Sequence, residues 1–276
     1  MIRLSIFFAL ICFSDVLHAQ TMVVPDAALS SNELDIRGPV KEMVQYTYLV
    51  QPDGQDFVSK GWKTIFEFNR NGYLTSEYRY RPDGGLMIKY LYDYAKKDSV
   101  IISLLDEKDE LGDKTILIYD NEGRRLKAYH YDAPFNIAVF TTIFKYDVKG
   151  NEIEFDLLGS EGQLLESDTI EYNDSGRKVA IQMGPAFNRR VAYYYEKSGN
   201  LHEERTIKKT DLSVIENIKY SKYDKYGNWL IELAIDHPPG KTSAVINTKF
   251  KKADNRRKED GFKHGQITKR EIRYFD

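Results

Sequence analysis

The sequence predicts an all-β fold, an antiparallel meander of about 17 strands built from two-strand repeats of about 26 residues and arranged as a single curled or coiled sheet. One turn motif recurs along most of the chain. The segments between turns alternate apolar and polar residues, and the composition includes 20 Tyr and 14 Phe. Period-two alternation rich in aromatic residues is typical of half-buried strands.

The turn motif is clearest in the stretch 144–155, where an aromatic residue ends one alternating run and a glycine opens the next. Asp147 is a favoured first residue of a type I turn, because its carboxylate can accept hydrogen bonds from backbone N–H groups further along the turn. Gly150 can take a positive φ without a Cβ clash and so returns the chain as a hairpin. Six copies share the same aromatic-to-glycine spacing: 68–72, 119–123, 146–150, 172–176, 195–199 and 223–227.

The aromatic anchors of these copies recur every 23 to 28 residues after a first gap of 51. The first gap predicts one degenerate copy near Tyr92-Asp93-Tyr94. A repeat of this kind predicts one elongated unit in which each copy contacts mainly its neighbours.

The chain divides into three predicted segments. Residues 1–19 are predicted to be a signal peptide, with Arg3, the apolar run Leu4–Phe13, and cleavage before Gln20. Residues 20–37 are predicted to be a flexible lead-in, since they are polar and have no period. Residues 38–276 are predicted to be the β-repeat domain.

Within the repeat domain, turn signals come at steps of roughly half the repeat. Short connections at both ends of the strands require antiparallel neighbours. A sheet of this many strands twists, and curling would also cover its apolar face. The predicted turns are 51–54, 69–72, 81–84, 95–98, 106–112, 120–123, 132–134, 147–150, 159–162, 173–176, 184–185, 196–199, 209–211, 224–227, 237–240 and 253–261.

The Tyr-Asp-x-x-Gly-Asn/Arg copies at 119–124, 146–151 and 223–228 resemble the YD repeat of RHS-type proteins. The Gly-x-Val-Lys stretch at 38–41 and the stretch at 267–274 also resemble a group of uncharacterised exported proteins of Gram-negative bacteria. The RHS resemblance implies a coiling β-sheet shell. Those proteins carry a C-terminal toxin, which we do not expect here, so the resemblance extends to the fold and not to toxin delivery.

Charge and cysteine content limit the partners. The net charge is −2, so no strong positive balance points to nucleic acid. The single cysteine, Cys12, lies in the predicted leader, so the mature chain is expected to have no disulfide. After cleavage, we expect no integral membrane span and a periplasmic, cell-surface or extracellular location.

No residue pattern predicts a catalytic, cofactor-binding or metal site. His202-Glu203-Glu204-Arg205 begins like a zincin motif but has Thr206 where the second histidine would stand. The acidic run 106–110 lacks the ligand pattern of a calcium loop, which favours a solvated hairpin. Trp62 and Trp229 could stack on sugars, although packing in the core is the favoured interpretation. Carboxylates spaced two apart on a strand, such as Glu152, Glu154 and Asp156, are most simply explained by solvated strand faces.

One cationic segment is a candidate anion-binding loop. Seven basic residues against three acidic ones lie between positions 249 and 263, and such a loop could contact lipopolysaccharide head groups. A solvated hairpin loop is the alternative. The residues of this candidate site are Lys251, Lys252, Arg256, Arg257 and Lys258.

These observations favour an exported, non-catalytic β-repeat protein with a structural or binding role at the cell envelope, where a glycan or a protein could be its partner. A hydrolase of glycan or cell wall, with carboxylates on the concave face, is a first alternative. An outer-membrane β-barrel is a second alternative, which strands such as 201–207 disfavour because neither of their faces is apolar enough for lipid.

Overall fold

The computed structural model describes residues 34, 36–50, 61–132, 135–185, 187–197, 199, 201–208, 211–237 and 264–276. No helix long and apolar enough to cross a membrane occurs in these ranges. The strands that they contain are β1 (Val40–Val50), β2 (Trp62–Phe68), β3 (Leu74–Tyr80), β4 (Leu86–Lys96), β5 (Ser99–Leu105), β6 (Leu111–Tyr119), β7 (Arg125–Asp132), β8 (Ile137–Tyr146), β9 (Glu152–Gly159), β10 (Leu164–Tyr172), β11 (Lys178–Gln182), β12 (Arg189–Tyr195), β13 (Leu201–Lys208), β14 (Asp211–Tyr223), β15 (Trp229–His237) and β16 (His264–Tyr274).

The strands form one closed antiparallel barrel. Each strand pairs with the next along the chain, and β16 pairs with β1 from Val40 opposite Tyr274 to Val50 opposite Gly265. The predicted all-β antiparallel meander is therefore confirmed. The predicted curled or coiled sheet is wrong in one respect, because the sheet closes on itself. Closure pairs the backbone groups that an open sheet would leave free along its two edge strands.

The strand count also corrects the prediction of about 17. The described ranges contain sixteen strands. A meander whose first and last strands pair antiparallel needs an even number of strands, since neighbours alternate in direction. The predicted turns at 237–240 and 253–261 bracket one extra strand, which lies outside the described residues. Strands β15 and β16 pair directly, with Ile231 opposite Lys269 and Asp236 opposite His264.

The barrel has two unlike rims. The terminal rim, at which β1 begins and β16 ends, carries the tight turns after the even-numbered strands. The distal rim carries the turns after the odd-numbered strands, and the segments 51–61 and 238–263 join strands there.

All six repeat copies place their turn at the terminal rim, as the sequence predicts. Their glycines have φ values between 75° and 98°, and each glycine N–H bonds the carbonyl of the first turn residue. The degenerate copy is a shorter turn, in which Lys96 pairs with Ser99. The glycines are Gly72, Gly123, Gly150, Gly176, Gly199 and Gly227.

Strand pairing and burial identify the inner wall of the barrel. Val100 lies opposite Leu117, Leu117 opposite Ala128, and Ala128 opposite Thr142, and all four side chains are buried. Residues directly opposite on paired strands share a face, and successive residues alternate faces. The parity of this row therefore assigns residues to the inner or the outer wall within each regularly alternating stretch, and the alternation is interrupted where the register shifts near the strand ends.

Apolar packing on the inner wall lies toward the terminal rim. One cluster contains Val100, Ile102, Leu117, Ala128 and Phe144, with the rings of several tyrosines packed against it. The second cluster contains Ile36, Val40, Met43, Phe66, Phe68 and Leu74. Leu34 and Ile36, which belong to the predicted lead-in, pack with this second cluster; residues 1–33 lie outside the described residues.

A polar cluster at the terminal rim joins the two ends of the barrel. Asn228 is buried, and it accepts a hydrogen bond from the Arg37 N–H at 2.7 Å and donates to the Arg37 carbonyl at 2.9 Å. Its Nδ2 also lies 3.0 Å from Asp224 Oδ2 and 2.9 Å from the Tyr274 hydroxyl, which share its second hydrogen. The Tyr274 hydroxyl donates to Asp224 Oδ2. We call Arg37, Asp224, Asn228 and Tyr274 the seam clasp, because they tie the chain before β1 to the end of β16.

Candidate functional site

The predicted anion-binding residues cannot be placed. Lys251, Lys252, Arg256, Arg257 and Lys258 all lie outside the described residues. The strands that flank them end and begin at the distal rim. Among the described residues, the candidate site is the inner wall of the barrel, where charged, aromatic and carboxylate side chains lie close together.

A charged and aromatic group lies on the inner wall of β3 and β4. Glu77 is buried, and its Oε1 accepts a hydrogen bond from Arg79 Nε at 2.5 Å. The Arg79 guanidinium lies 5.0 Å from the ring centroid of Tyr90, and the Tyr92 hydroxyl donates to Glu77 Oε2 at 3.4 Å. Burial and the Glu77 carboxylate raise the pKa of Tyr92, so its hydroxyl stays a donor. The Glu77 carboxylate therefore accepts hydrogen bonds from a guanidinium and from a phenol on the inner wall.

Two more carboxylate groups occur on the inner wall toward the distal rim. Asp113 and Asp132 lie directly opposite on β6 and β7, and burial together with Asp132 raises the pKa of Asp113. Glu166 and Asp168 are both buried on β10. Burial raises the pKa of Asp168, although the Gly184 N–H donates to its Oδ1 at 3.0 Å and opposes that shift. Asp113 and Asp168 therefore hold their protons more tightly than exposed carboxyls do.

His130 lies on the same wall, between β6 and β8. Its Nδ1 is 3.1 Å from Thr115 Oγ1 and its Nε2 is 3.4 Å from Thr142 Oγ1. Burial lowers the pKa of His130 to about 4, so the ring is neutral at physiological pH. A neutral ring bonded by hydroxyls on both sides is held in place as a polar member of the core.

The sequence-derived candidates separate in the structure. His202 and Glu204 face the opposite wall from Glu203 and Arg205, and Arg205 Nε bonds Glu203 Oε1 at 2.7 Å. Alternation along β13 therefore prevents the zincin-like stretch from converging on one point. No group of three His, Cys, Asp or Glu side chains able to hold a metal ion occurs in the described ranges.

The acidic run 106–110 forms a hairpin turn whose carboxylates have separate partners. Asp106 Oδ1 accepts hydrogen bonds from the N–H groups of Lys108 and Glu110. Glu107 bonds Arg81 at 2.8 Å, and Asp109 bonds Lys89 at 3.2 Å. Because the carboxylates diverge, the arrangement fits the solvated hairpin that the sequence favours.

Trp229 packs inside the barrel. The Arg270 guanidinium lies 3.5 Å from its ring centroid, and the Tyr220 ring centroid is 5.2 Å away. These contacts fit the favoured interpretation of this tryptophan as a packed residue. The ring face that could stack on a sugar already contacts the guanidinium of Arg270.

The outer wall is polar and ion-paired across β8 to β13. Lys145 lies opposite Glu154, and its Nζ bonds Glu154 Oε1 at 2.6 Å and Asp156 Oδ2 at 2.8 Å. Arg190 bonds Glu171 across the intervening strand β11. Elsewhere on this wall, lysines lie over tyrosine rings at 4.8 to 5.8 Å: Lys63 over Tyr80, Lys89 over Tyr78, Lys114 over Tyr131 and Lys269 over Tyr48.

The buried carboxylates of the inner wall are the polar residues that sequence reasoning missed. The sequence interpretation treated strand carboxylates as solvated. That holds for Glu154, whereas Asp168 is only 2 % exposed. A signal was present, because Asp168 has the same parity as Ile170 and Tyr172 and therefore shares their face.

Comparisons with known proteins find one solved structure whose fold resembles that of this chain. No family model matches the chain, and no curated protein matches it. A porin-like protein from Bacteroides uniformis matches with a TM-score of 0.56 at 10 % identity, over 85 % of this chain and 98 % of that one. At this identity the likeness concerns the fold alone.

Two further solved structures resemble the chain more weakly. The Tc holotoxin pore of Photorhabdus luminescens matches with a TM-score of 0.31 at 13 % identity, over 67 % of this chain and 10 % of that one. A DUF1329 family protein from Desulfovibrio piger matches with a TM-score of 0.22 at 11 % identity, over 85 % and 86 % of the two chains. These scores are too low to carry an argument.

Proposed function

We propose that the chain is an exported, non-catalytic barrel protein with a structural or binding role at the cell envelope. The observation that carries this proposal is the contrast between the two walls. The outer wall is charged and ion-paired from β8 to β13, whereas the inner wall packs apolar, aromatic and carboxylate side chains. The part of the outer wall formed by β8 to β13 suits water.

The cost of placing the outer wall in lipid supports this choice. A transmembrane barrel presents an apolar band about 25 Å tall, and each Arg or Lys at the bilayer midplane costs roughly 2–4 kcal/mol. The row from Lys145 through Glu154, Thr169 and Gln182 to Arg190 crosses five adjacent strands in direct register. None of its members is apolar.

Fractionation tests the proposal. The full chain, expressed in a Gram-negative host, is expected in the fluid released by osmotic shock without detergent, with a new N-terminus at Gln20. Recovery only in the outer-membrane pellet after a carbonate wash would contradict it.

A second candidate, an outer-membrane barrel, is favoured by the form of the closure. The strand number is even, and β1 begins and β16 ends at the rim with tight turns. The strands that flank residues 51–60 and 238–263 end and begin at the opposite rim. Outer-membrane barrels have this asymmetry of short turns and longer loops. Heat-dependent migration of detergent-extracted protein in an electrophoretic gel is the result that this candidate predicts and a water-soluble barrel does not.

We further propose that the repeats belong with YD repeats. The support is the shared turn chemistry: in the copies that begin at Asp120, Asp147 and Asp224, a side-chain nitrogen four residues later donates to the second carboxylate oxygen. This explains why Asn or Arg follows the glycine.

A further inference from the structure

The chain before β1 turns inward at the terminal rim of the barrel. Ile36 is only 1 % exposed, and it belongs with Leu34 to the apolar cluster that contains Met43 and Phe66. Met43 and Phe66 lie opposite each other on the inner wall. Leu34 and Ile36 therefore pack against the inner side of the sheet. We call Leu34 and residues 36–38 the strap.

The backbone of the strap is bound by a side-chain amide. Asn228 Oδ1 accepts a hydrogen bond from the Arg37 N–H at 2.7 Å, and Asn228 Nδ2 donates to the Arg37 carbonyl at 2.9 Å. Asp224 sets the orientation of this amide, because an ionised carboxylate only accepts hydrogen bonds and therefore faces Nδ2. These two bonds recognise the backbone of Arg37 and are independent of its side chain.

The strap has a hinge at Gly38. The φ of Gly38 is 92°, and a Cβ at this position would lie 2.9 Å from the Tyr226 ring. Arg37 and Gly38 are exposed, and neither belongs to a strand. A segment that lies outside the strand ladder opens at a lower free-energy cost than the sheet does. Two apolar side chains and one amide therefore hold an element that can leave without unfolding the barrel.

We propose that the strap occupies a peptide-binding site on the inner wall, and that this site accepts an extended polypeptide segment with two apolar residues two positions apart when the strap moves out at Gly38. The two apolar side chains take the places of Leu34 and Ile36, and Asn228 binds the backbone of the next residue. Backbone hydrogen bonds combined with places for alternate side chains are a recurring mode of peptide recognition. The inference goes beyond the proposed envelope role, because it names a site and the class of its ligand.

A fluorescent peptide with the sequence of residues 30–37 tests the proposal. The L34S/I36S variant of the full mature protein has a site without its own apolar anchors, so fluorescence anisotropy is expected to show saturable binding. The unmodified protein is expected to bind at least about tenfold more weakly, because a tethered strap competes at an effective concentration near millimolar. The same peptide with Ser at both apolar positions is expected not to bind. Equal binding of the two peptides, or binding of neither, would overturn the inference.

A matched variant locates the binding. L126S/V148S also removes two apolar residues from the terminal rim, but both are exposed and lie outside the strap. This control is expected to bind the peptide as weakly as the unmodified protein does. Equal binding by the unmodified protein and by L34S/I36S would place the peptide elsewhere and would also overturn the inference.

Gly38→Ala opens the site without removing an apolar side chain. Its Cβ would meet the Tyr226 ring, so the strap is expected to leave and peptide binding is expected to rise toward that of L34S/I36S. Gly150→Ala is the control, since Gly150 has a φ of 85° but no atom within 4 Å of an added Cβ. This pair gives an answer even where L34S/I36S fails to fold. Peptide binding that does not rise in Gly38→Ala would contradict the proposal.

Thiol labelling measures release of the strap directly. The single cysteine, Cys12, lies in the predicted leader, so an introduced cysteine is the only thiol of the mature chain. Ile36→Cys is expected to react at least about 100-fold faster than Leu117→Cys, a control that is equally buried in the other apolar cluster, because local opening costs less free energy than global unfolding. Equal rates would mean that the strap leaves only when the barrel unfolds, which would overturn the inference.

Other ligands give distinct results. A concentration-dependent dimer of the unmodified protein that L34S/I36S abolishes would support the site and identify the strap of a second copy as its ligand. Co-sedimentation of L34S/I36S with phosphatidylglycerol vesicles, without binding of the peptide, would identify a lipid-binding surface and overturn the inference. None of these results depends on where fractionation places the protein, so the two proposals can fail separately.

Discussion

At the scale of single residues, the repeated turn is one hydrogen-bonded unit. Asp147 Oδ1 accepts from the N–H groups of Lys149 and Asn151, and Asn151 Nδ2 donates to Asp147 Oδ2 at 2.9 Å. The side-chain hydrogen bond from Asn151, followed by the backbone N–H bonds, lowers the pKa of Asp147. Gly150 completes the turn with a φ of 85°.

Replacing Gly150 measures only the free-energy cost of placing a side-chain-bearing residue in the left-handed backbone conformation. A Cβ at this position would meet nothing within 4 Å, so only the left-handed conformation opposes a side chain. Gly150→Ala is expected to lower the free energy of unfolding by about 1 kcal/mol, and Gly150→Asn by less, because Asn tolerates this region better. Urea denaturation measures both. Equal losses, or a larger loss for Asn, would contradict a purely conformational cost.

His130 predicts an acid-sensitive fold. Its folded pKa of about 4 lies below the ordinary value of 6.5, so its contribution to stability is present above pH 6.5 and is lost as pH falls toward 4. At about 1.36 kcal/mol for each pKa unit, the loss is roughly 3 kcal/mol.

His130→Gln removes the titrating ring but can keep hydrogen bonds to Thr115 and Thr142. The drop in unfolding free energy between neutral and acid pH is expected to be smaller in this variant than in the unmodified protein, by that same amount. Identical pH profiles for the two proteins would show that His130 binds its proton equally well in the folded and unfolded states, which would contradict its lowered pKa in the folded protein.

At the scale of elements, the anchor tyrosines close the open ends of hairpins. Tyr172 on β10 donates to the carbonyl of Glu152, where β9 begins, at 2.9 Å. Tyr195 on β12 donates to the carbonyl of Lys178 at 2.8 Å. Tyr94 on β4 donates to the carbonyl of Leu74 at 2.9 Å, which identifies it as the anchor of the degenerate repeat. Each bond ties two paired strands at the terminal rim, opposite the turn that joins them.

Tyr172→Phe tests this link. Removal of the hydroxyl is expected to lower the free energy of unfolding by about 1 kcal/mol, the usual contribution of such a hydrogen bond. Tyr73→Phe, at a tyrosine that is 47 % exposed, is the control and is expected to change stability little. Hydrogen exchange at the start of β9 should rise only in Tyr172→Phe; an equal rise in both variants would contradict the proposed link.

At the scale of the whole molecule, the seam clasp helps to hold the barrel closed. The sixth copy of the turn makes the same side-chain bonds within the turn as the copy at Asp147, and its asparagine makes further bonds to Arg37 and Tyr274. Phe275 N–H also bonds the Pro39 carbonyl at 2.8 Å. The repeat motif is therefore used once for closure as well as for the turn.

A pair of asparagine variants separates these two uses. Asn228→Ala removes the bonds to Arg37, Asp224 and Tyr274 in a buried place and is expected to cost roughly 2–4 kcal/mol of unfolding free energy. Asn151→Ala removes the equivalent bond within an ordinary turn and is expected to cost clearly less. Faster hydrogen exchange in β1 and β16 should accompany Asn228→Ala alone. Similar costs and similar exchange in the two variants would mean that the clasp does not hold the seam.

The candidate site shows where sequence reasoning stops. Alternation placed Asp168 on the face of Ile170 and Tyr172, but whether that face is buried depends on the direction in which the whole sheet closes. The same holds for Glu77, whose ion pair with Arg79 and contact with Tyr92 need β3 and β4 in their native register. The candidate basic loop remains a prediction, since it lies outside the described residues.

The sequence by itself determined the turns, the strand alternation and the antiparallel order, because each of these depends on residues a few positions apart. The six glycines, with an aspartate, asparagine or glutamate three residues before each, mark the turns. Only the tertiary structure decided closure, because the pairing of β1 with β16 joins residues at opposite ends of the chain. No local sequence pattern sets that register. Only when the sheet closes into a barrel do the backbone groups of the two edge strands find hydrogen-bond partners, and only then does the inner wall bury the carboxylates.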